Sequence, residues 1–499
     1  MRLKLVRLSI IVFWLIMMGM LTHKKLLSHW QPVQSFSYAR IIPRDTLFRD
    51  EWMGIYYKEQ KIGYSHTVIR AEETPKGEGY IIDNSLFCAL PLIGKNQYIN
   101  FKSNVFLDPT YRLQTFSGRL ASGGYTFTVE GIRKEGDTFT IMLDTGEKVM
   151  LERKLPADTL FANMLLPFQS VDYLKPNQRI EMSTFNPLSM KAEQIQLHAI
   201  GNEVIELNGE VIETTRIIIR TENKLEATAW ADEGGQIIKV ELPFRLVMVQ
   251  EPVLRATDLD LDAITDIDFY SEVAIPAQIV PSVDAPVHYL KVKMNGVMFD
   301  EKELQNTHQT ITHDGEAVIC EIEAPAIIDT QTKTIEAVND LFPQYRGETS
   351  FIQSYHPTII KHANRIIGQE KNALKAVRLL SEWVFSTIEQ KPTISVPSAV
   401  EVLEKRSGDC NEIAILFVAL ARAAGIPSYP VLGLVYHKGA FFYHSWAYVY
   451  VGDWIAIDPT FNQIPADATH IQLMHGSISQ YIDLAATMGK LSIEVLEYQ

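Results

Sequence analysis

"RSGDCNEIAILFVALARAAGIPSYP", residues 406–430, places one cysteine at the start of a segment with helical spacing. Ser407, Gly408 and Asp409 precede this segment and Gly425 follows it, as is typical of a helix start and a helix end. The sequence therefore predicts that Cys410 lies in the first turn of a helix. Apolar residues recur after it at intervals of three and four, which predicts that the helix is buried; they are Ile413, Leu416, Phe417, Leu420 and Ala424.

The thiol of Cys410 is either a buried core group or a nucleophile, and a nucleophile needs a partner. A free thiol with a pKa of ~8.5 is only about 3% ionised at neutral pH. The end of a helix stabilises a nearby anion by ~0.3–1 kcal/mol and at best by ~2 kcal/mol, whereas each unit of pKa costs ~1.36 kcal/mol. A nucleophilic Cys410 therefore requires a charged neighbour that lowers its pKa, and an imidazolium is the usual one.

"FFYHSWAYVYVGDWIAIDPTF", residues 441–461, contains a suitable histidine. His444 lies in a run of aromatic and β-branched residues that predicts a strand, and a second predicted strand ends at Asp458. Cys410, His444 and Asp458 can thus supply the nucleophile, the base and the orienting carboxylate of a thiol triad. The alternatives are a histidine hydrogen-bonded in the core and an aspartate that caps a turn.

The loop between these two strands decides whether His444 and Asp458 can meet. A two-residue turn at 452–453 would place their side chains on opposite faces, because side chains alternate along a strand. A three-residue loop would instead pair Tyr450 with Trp454 and make Asp458 a diagonal neighbour of His444. We therefore predict an odd-length loop, or a bulge, at this connection.

Together the motifs resemble the transglutaminase-like superfamily, whose pattern is Gly-Asp-Cys at a helix start, His-x-Trp on a strand and Trp-x-x-x-Asp-Pro-Thr on the next. Here these motifs are residues 408–410, 444–446 and 454–460. The resemblance covers about residues 355–480. It implies a papain-like α+β fold and acyl transfer through a thioester, with no metal and no organic cofactor.

The resemblance also singles out residues beside the triad. Trp383 resembles the bulky residue that some family members place over the oxyanion, although a core tryptophan is the alternative, and Trp446 is a candidate to line the cleft. His470 and His475 lie in a segment similar to one that relatives carry, and the sequence assigns them no role. The oxyanion is expected to bind the backbone N–H of Cys410 and one further donor.

The length of 499 residues predicts about three domains. We expect an N-terminal signal anchor or signal peptide at 1–30, a β-rich domain at 45–255, a small strand-rich segment at 265–335 and the transglutaminase-like domain at 345–499. The fold class is thus α+β, with a C-terminal papain/transglutaminase-like catalytic domain preceded by β-rich domains and a membrane anchor.

The N-terminal segment suggests where the protein works. Residues 8–21 are uncharged and basic residues flank them, but fourteen helical residues reach only ~21 Å of a ~30 Å hydrocarbon core. No A-x-A-like cleavage site follows, so we expect an uncleaved signal anchor that holds a bacterial protein on the periplasmic side of the inner membrane. A cleaved signal peptide with secretion is the second choice, and a buried first helix the third.

Composition narrows the partners. The formal net charge of −14, without a basic patch, argues against nucleic acid, and the three cysteines are too few for a disulfide framework or a Cys-rich zinc site. Cys88 and Cys320 lie in strand-like runs that predict buried thiols, with a bridge between them as the alternative. We expect a protein or peptide substrate and a membrane contact through the N-terminal helix; the oligomeric state is left open.

The predicted function is thiol-dependent acyl transfer or hydrolysis on a glutamine-type amide or a peptide bond. A thiol protease with the same triad is an alternative, because attack and thioester formation are identical and only the acceptor differs. A non-catalytic binding module at the cell surface, with the β-rich half as its binding scaffold, is the alternative from another class.

Overall fold

A computed structural model describes most of the chain after residue 33. The described ranges are 34–42, 46–74, 77–92, 95–161, 171, 174–187, 189–222, 225–261, 264, 271, 273–277, 286–296, 300–325, 332–393, 395–396, 398–476, 480, 484 and 487–499. The predicted anchor at 1–30 lies outside them. Among the described residues, none of the helices combines the length and the apolar character needed to cross a membrane.

The first half of the chain forms one large sheet, in which sixteen strands are described. Buried and exposed residues alternate along strands such as Thr138–Asp144, because successive side chains point to opposite faces. Neighbouring strands pair antiparallel, except that the first and tenth pair parallel to the eleventh. The strands are β1 Gln34–Phe36, β2 Phe48–Tyr57, β3 Gln60–Thr74, β4 Gly77–Leu92, β5 Lys95–Leu107, β6 Leu113–Ser122, β7 Tyr125–Arg133, β8 Thr138–Asp144, β9 Lys148–Lys154, β10 Leu160–Phe161, β11 Arg179–Asn186, β12 Lys191–Leu207, β13 Glu210–Thr221, β14 Glu226–Ala231, β15 Ile237–Glu241 and β16 Leu246–Gln250.

The strand order of this sheet is β1-β11-β12-β13-β14-β15-β16-β2-β3-β4-β5-β6-β7-β8-β9. Sequential strands are therefore neighbours almost everywhere, and the one long-range antiparallel pairing joins β16 to β2. Two runs of hairpins are thus joined into one β-rich unit, which agrees with the turn signals in this half of the sequence.

The second half of the chain contributes three smaller sheets. Their strands are β17 Ile275–Pro276, β18 Tyr289–Asn295, β19 Gln309–Asp314, β20 Ala317–Glu323, β21 Glu389–Gln390, β22 Ser407–Gly408, β23 Ser428–His437, β24 Ala440–Tyr450, β25 Trp454–Ile457, β26 His470–His475 and β27 Ser492–Tyr498. A five-stranded sheet has the order β17-β24-β23-β26, with β25 also paired to β24. A four-stranded sheet has the order β19-β20-β18-β27, and β21 pairs parallel to β22.

The last strand lies in the small sheet rather than in the sheet of its own neighbours in sequence. β27 belongs to the range 345–499, yet it pairs antiparallel to β18. The small strand-rich segment therefore shares a sheet with the C-terminal end of the chain, and the domain boundaries drawn from the sequence stay a prediction.

Helices are concentrated in the C-terminal half, as the change to helical spacing there predicts. The described helices are α1 Tyr38–Ile41, α2 Val253–Ala256, α3 Glu301–Leu304, α4 Ile335–Asn339, α5 Pro357–Ile367, α6 Ala373–Thr387, α7 Ala399–Lys405 and α8 Cys410–Ala423. The chain is thus mostly β with a helical C-terminal region, which confirms the coarse fold class. Nothing described bears on the membrane anchor.

Helix α8 is the centre of the C-terminal core. Every residue from Glu412 to Arg422 is buried, and the helix packs against α5, α6, α7 and β24. Full burial of one large apolar side chain such as Phe417 contributes ~1.5–3 kcal/mol, so this packing fixes the helix firmly. Cys410, at the N-terminus of this helix, is thereby held in a fixed position beside β24.

The β-rich unit contacts the segment that leads into α8. The buried Tyr125, at the start of β7, donates a hydrogen bond from its hydroxyl to the backbone carbonyl of Ser407 in β22. Lys405 donates to the backbone carbonyl of Gly124 and lies 3.9 Å from the centre of the Tyr125 ring. The turn before β7 therefore supports the backbone that immediately precedes Cys410.

Candidate active site

Cys410 is the first residue of helix α8, as the sequence predicts. Asp409 caps the helix by accepting a hydrogen bond from the backbone N–H of Asn411 at 2.8 Å, and Glu412 completes a capping box by accepting from the N–H of Asp409 at 3.0 Å. Cys410 is half-buried. Its own N–H has no acceptor inside the helix, because the first turn of a helix leaves its N–H groups unpaired.

His444 lies on β24 next to the N-terminal end of α8. Its ring is buried, and Nε2 lies 2.7 Å from Oδ2 of Asp458. Tyr450 pairs with Trp454, so the loop between the strands has three residues. The predicted odd-length loop is confirmed, and it places Asp458 within hydrogen-bond reach of His444.

Asp458 follows directly after β25 and is fully buried. Its Oδ1 accepts hydrogen bonds from the backbone N–H groups of Thr460 at 2.8 Å and Phe461 at 3.1 Å. Burial alone would raise the pKa of Asp458, but the hydrogen bonds and charges of His444 and His470 outweigh burial and hold it well below its usual range. Asp458 is therefore a carboxylate at neutral pH and can orient His444.

The environment of the Cys410 sulfur differs from what a preformed thiolate needs. Burial and the neighbouring Asp409 raise the pKa of the thiol well above its ordinary value, with further contributions from Glu412 and Asp458. An interaction with the backbone N–H of Ser445, the residue after His444, opposes them and is weaker. The thiol is thus expected to keep its proton at rest, contrary to the lowered pKa that the sequence argument required.

The second ring nitrogen of His444 is the one that can accept a proton. Because Nε2 donates to the carboxylate of Asp458, Nδ1 is the basic nitrogen of the neutral ring. Two aromatic rings fix the plane of the imidazole: Phe461 stacks on it with centroids 5.0 Å apart, and Trp446 lies at 6.2 Å with an interplanar angle of 20°. The sequence patterns predict no role for Phe461, although it directly follows the Asp-Pro-Thr motif.

The two tryptophans singled out by the resemblance lie in different places. Trp446 is fully buried beside His444, and its Nε1 has no hydrogen-bond partner among the described residues. The ring of Trp383 on α6 instead faces His362 on α5, with centroids 5.9 Å apart. The oxyanion role of Trp383 stays a prediction, and Trp446 is the tryptophan that contacts the triad.

The two histidines without a predicted role also separate. His470, at the start of β26, lies with Nε2 3.0 Å from Oδ2 of Asp458, the same oxygen that binds His444. His475 instead packs its ring near Tyr429, with centroids 4.9 Å apart. The sequence carried no signal for the contact of His470, because it depends on the pairing of β26 with β23.

His444, Asp458 and His470 each offer one atom that could bind a metal ion, and these three atoms all lie within 4.8 Å of one another, close enough for a divalent cation. Each of these atoms already takes part in a hydrogen bond within the group, with Oδ2 of Asp458 at the centre. These hydrogen bonds are enough to explain why the three side chains lie so close together.

Cys88 and Cys320 are both free and buried, and burial raises the pKa of the Cys88 thiol to about 12.

Residues 360–459 match the model of the transglutaminase-like superfamily. The chain therefore contains a transglutaminase-like domain, as its motifs predict. An uncharacterised protein of Haemophilus influenzae is 34% identical in an alignment of 93 residues, and the match covers 16% of this chain and 25% of that protein. The chain thus spans about a quarter of the length of the curated relative it matches.

Two solved structures resemble parts of the fold. A suspected cysteine protease from Cytophaga hutchinsonii is 18% identical, with 43% of this chain and 86% of that chain covered and a TM-score of 0.27. A suspected protease from Parabacteroides distasonis is 10% identical, with 77% and 64% covered and a TM-score of 0.20. Neither score supports an inference about function.

Proposed function

We propose that the transglutaminase-like domain is a cysteine acyltransferase or hydrolase that cleaves a glutamine-type amide or a peptide bond through a thioester on Cys410. The observation that carries the proposal is the buried hydrogen bond of 2.7 Å between His444 and Asp458. His444 lies on β24, and the residue after it on that strand, Ser445, contacts the Cys410 sulfur through its backbone N–H. This is the arrangement in which an oriented imidazole can serve a thiol.

The chemistry follows from the positions of these groups. The sulfur of Cys410 attacks the carbonyl carbon while its proton passes to Nδ1 of His444. His444 then gives that proton to the departing ammonia or amine, and the carbon–nitrogen bond breaks to leave a thioester. An amine or water attacks the thioester and restores the thiol. The N–H of Cys410, which has no acceptor inside the helix, supports the developing oxyanion.

An activated ester tests the proposal without knowledge of the natural substrate. p-Nitrophenyl acetate should acetylate Cys410, giving a burst of p-nitrophenol and one added acetyl group by intact-protein mass spectrometry. Cys410→Ala should show neither. Cys88 and Cys320 serve as internal controls, since buried thiols should stay unmodified in the folded protein.

The fate of the acetyl group separates the two reactions. If the domain is an acyltransferase, added ethylamine should speed loss of the acetyl group and appear in N-ethylacetamide; if it is a hydrolase, only acetate should form. Acetylation of Cys410 no faster than that of a small-molecule thiol, and unchanged in His444→Gln, would contradict both and favour a non-catalytic binding module.

We also propose, from the sequence of residues 1–30 alone, that the protein is anchored in the bacterial inner membrane and acts on proteins or peptides in the periplasm. Membrane fractionation followed by protease treatment of spheroplasts tests this proposal. A chain that stays in the soluble cytoplasmic fraction would contradict it.

A further inference from the structure

Phe461 exposes an aromatic ring to solvent directly beside the triad. The ring stacks on that of His444, with centroids 5.0 Å apart and an interplanar angle of 16°. Phe461 is 43% exposed, whereas His444 is only 5% exposed. One face of the phenyl ring therefore covers the imidazole, while much of the rest of the ring faces water.

The loop that carries Phe461 is held in place by hydrogen bonds. The backbone N–H groups of Asp458 and Gln463 each donate to the backbone carbonyl of the other residue at 3.0 Å, which closes a loop of four residues, 459–462. Within this loop, the backbone N–H groups of Thr460 and Phe461 donate to Oδ1 of Asp458. The exposed ring is thus presented by a fixed backbone.

A further hydrogen bond ties this loop to the strand that leads to the nucleophile. Gln390 donates from Nε2 to the backbone carbonyl of Thr460 at 2.5 Å. Gln390 lies on β21, where it pairs with Gly408, two residues before Cys410. The loop with Phe461 therefore connects the part of the site that holds the base to the part that holds the thiol.

The contact with His444 determines which part of a substrate Phe461 can touch. A general acid or base must lie within hydrogen-bond reach, ~2.6–3.2 Å, of the atom that it protonates or deprotonates. In the proposed reaction this atom is the nitrogen of the departing amine and, later, that of an amine that attacks the thioester. The group bonded to the nitrogen therefore lies beside His444 and within reach of the phenyl ring.

An apolar surface at this point favours an apolar group on the amine. A strongly hydrated substituent would lose water against the phenyl ring and gain no hydrogen bond from it. An alkyl or aryl substituent would instead remove part of the exposed ring from water, and an aryl substituent would also gain from the contact between two aromatic rings.

We propose that Phe461 is a specificity-determining residue that selects amines with an apolar substituent on the leaving-group and acceptor side of the site. The inference rests on the proposed function, because it requires the thioester on Cys410 and His444 as the base. It adds the class of amine. In the transfer step the amine nitrogen bonds to the carbonyl carbon and gives a proton to His444; the carbon–sulfur bond breaks, and the sulfur takes up that proton.

The test uses the full chain, acetylated on Cys410 with p-nitrophenyl acetate and then freed from excess ester. The acetylated protein is mixed with 2-phenylethylamine or with ethanolamine, two primary amines of similar basicity. Loss of the acetyl group is followed by intact-protein mass spectrometry, and the reactions of both amines with S-acetyl-N-acetylcysteine correct for their intrinsic reactivity. The wild type should prefer 2-phenylethylamine by about three- to tenfold, the range that one aromatic contact provides.

Two variants separate selectivity from mechanical support of His444. Phe461→Ala removes the ring and should abolish the preference, so that the two amines react equally well. Phe461→Tyr keeps the ring and should keep the preference. If Phe461 only held His444 in place, Phe461→Ala would slow both amines by the same factor and leave their ratio unchanged.

The inference would be overturned by a wild type that treats both amines alike or prefers ethanolamine, by an acetyl group whose loss neither amine speeds, or by an unchanged ratio in Phe461→Ala. Labelling of Cys88 or Cys320 by iodoacetamide identifies a variant that has not folded; Phe461→Leu then replaces Phe461→Ala and should lower the preference. These outcomes leave the proposed function intact as long as acetylation of Cys410 depends on His444. Loss of that dependence would contradict the proposed function itself.

Discussion

Asp458→Asn should damage the site more than the loss of one charge suggests, because the four hydrogen bonds that the described residues make to this side chain all come from N–H donors. Oδ2 faces His444 and His470, and Oδ1 faces the backbone N–H groups of Thr460 and Phe461. An asparagine must turn its NH₂ group towards one of these pairs. Either orientation therefore sets N–H groups against N–H groups.

The less costly orientation keeps the oxygen on the backbone pair and turns the NH₂ group towards the histidines. Two hydrogen bonds to a charged acceptor are then lost, at ~1.5–3 kcal/mol each, so we expect a loss of at least about 3 kcal/mol in the free energy of unfolding. His444 can relieve the clash by moving its proton to Nδ1. That tautomer cannot accept the proton of Cys410, and acetylation should slow by roughly 10³–10⁴-fold.

The assay is the burst rate with p-nitrophenyl acetate, together with urea unfolding of the same samples. Asp453→Asn is the matched control, because this exposed carboxylate in the hairpin loop accepts, among the described residues, only the N–H of Trp454, at 2.8 Å. The control variant should keep the wild-type burst rate, and its free energy of unfolding should lie within about 0.5 kcal/mol of the wild-type value. A folded Asp458→Asn variant with the wild-type burst rate would refute the orienting role.

Three further predictions concern positions around the triad. Tyr125→Phe removes the hydroxyl that donates to the carbonyl of Ser407. We expect the free energy of unfolding, measured by thermal denaturation, to fall by ~1 kcal/mol and the p-nitrophenol burst to become several-fold slower. An unchanged burst rate would show that this contact does not position Cys410. Gly433→Ala would place a Cβ 2.1 Å from the carbonyl oxygen of Ile471, so β23 and β26 must separate and the variant should lose ~3 kcal/mol or more; near-wild-type stability would contradict the strand packing. His470→Gln should lower the free energy of unfolding most near pH 6, by on the order of 3 kcal/mol, and progressively less towards pH 9. The reason is that the pKa of His470 is raised from 6.5 to about 9 in the folded protein. The stability that this shift contributes is complete below pH 6.5 and is lost as the pH rises through about 9. A cost that does not vary between pH 6 and pH 9 in urea unfolding would count against a protonated His470.

Much of the active-site geometry follows from local patterns in the sequence. The capping residues and the 3.6-residue spacing predict that α8 begins at Cys410, because both signals act within one or two turns of helix. The three-residue loop between β24 and β25 follows from side-chain alternation, once His444 and Asp458 are required to meet. These features depend on a few neighbouring residues, so one sequence is enough to predict them.

Other features depend on contacts between distant parts of the chain. Tyr125 reaches Ser407 across 282 positions, and His470 reaches Asp458 only because β26 pairs with β23. The pKa of the Cys410 thiol was also missed. The end of a helix stabilises a nearby anion, whereas burial and the neighbouring Asp409 act more strongly on this thiol and in the opposite direction.

The most direct test of the central claim is the rate at which p-nitrophenyl acetate acetylates Cys410 at pH 7 in the wild type and in His444→Gln. If His444 removes the thiol proton during attack, the wild-type rate should exceed that of the variant by roughly 10²–10⁴-fold, the usual contribution of a positioned base. Equal rates in two folded proteins, both at the level of a small-molecule thiol, would contradict the claim that Cys410 and His444 form a catalytic pair.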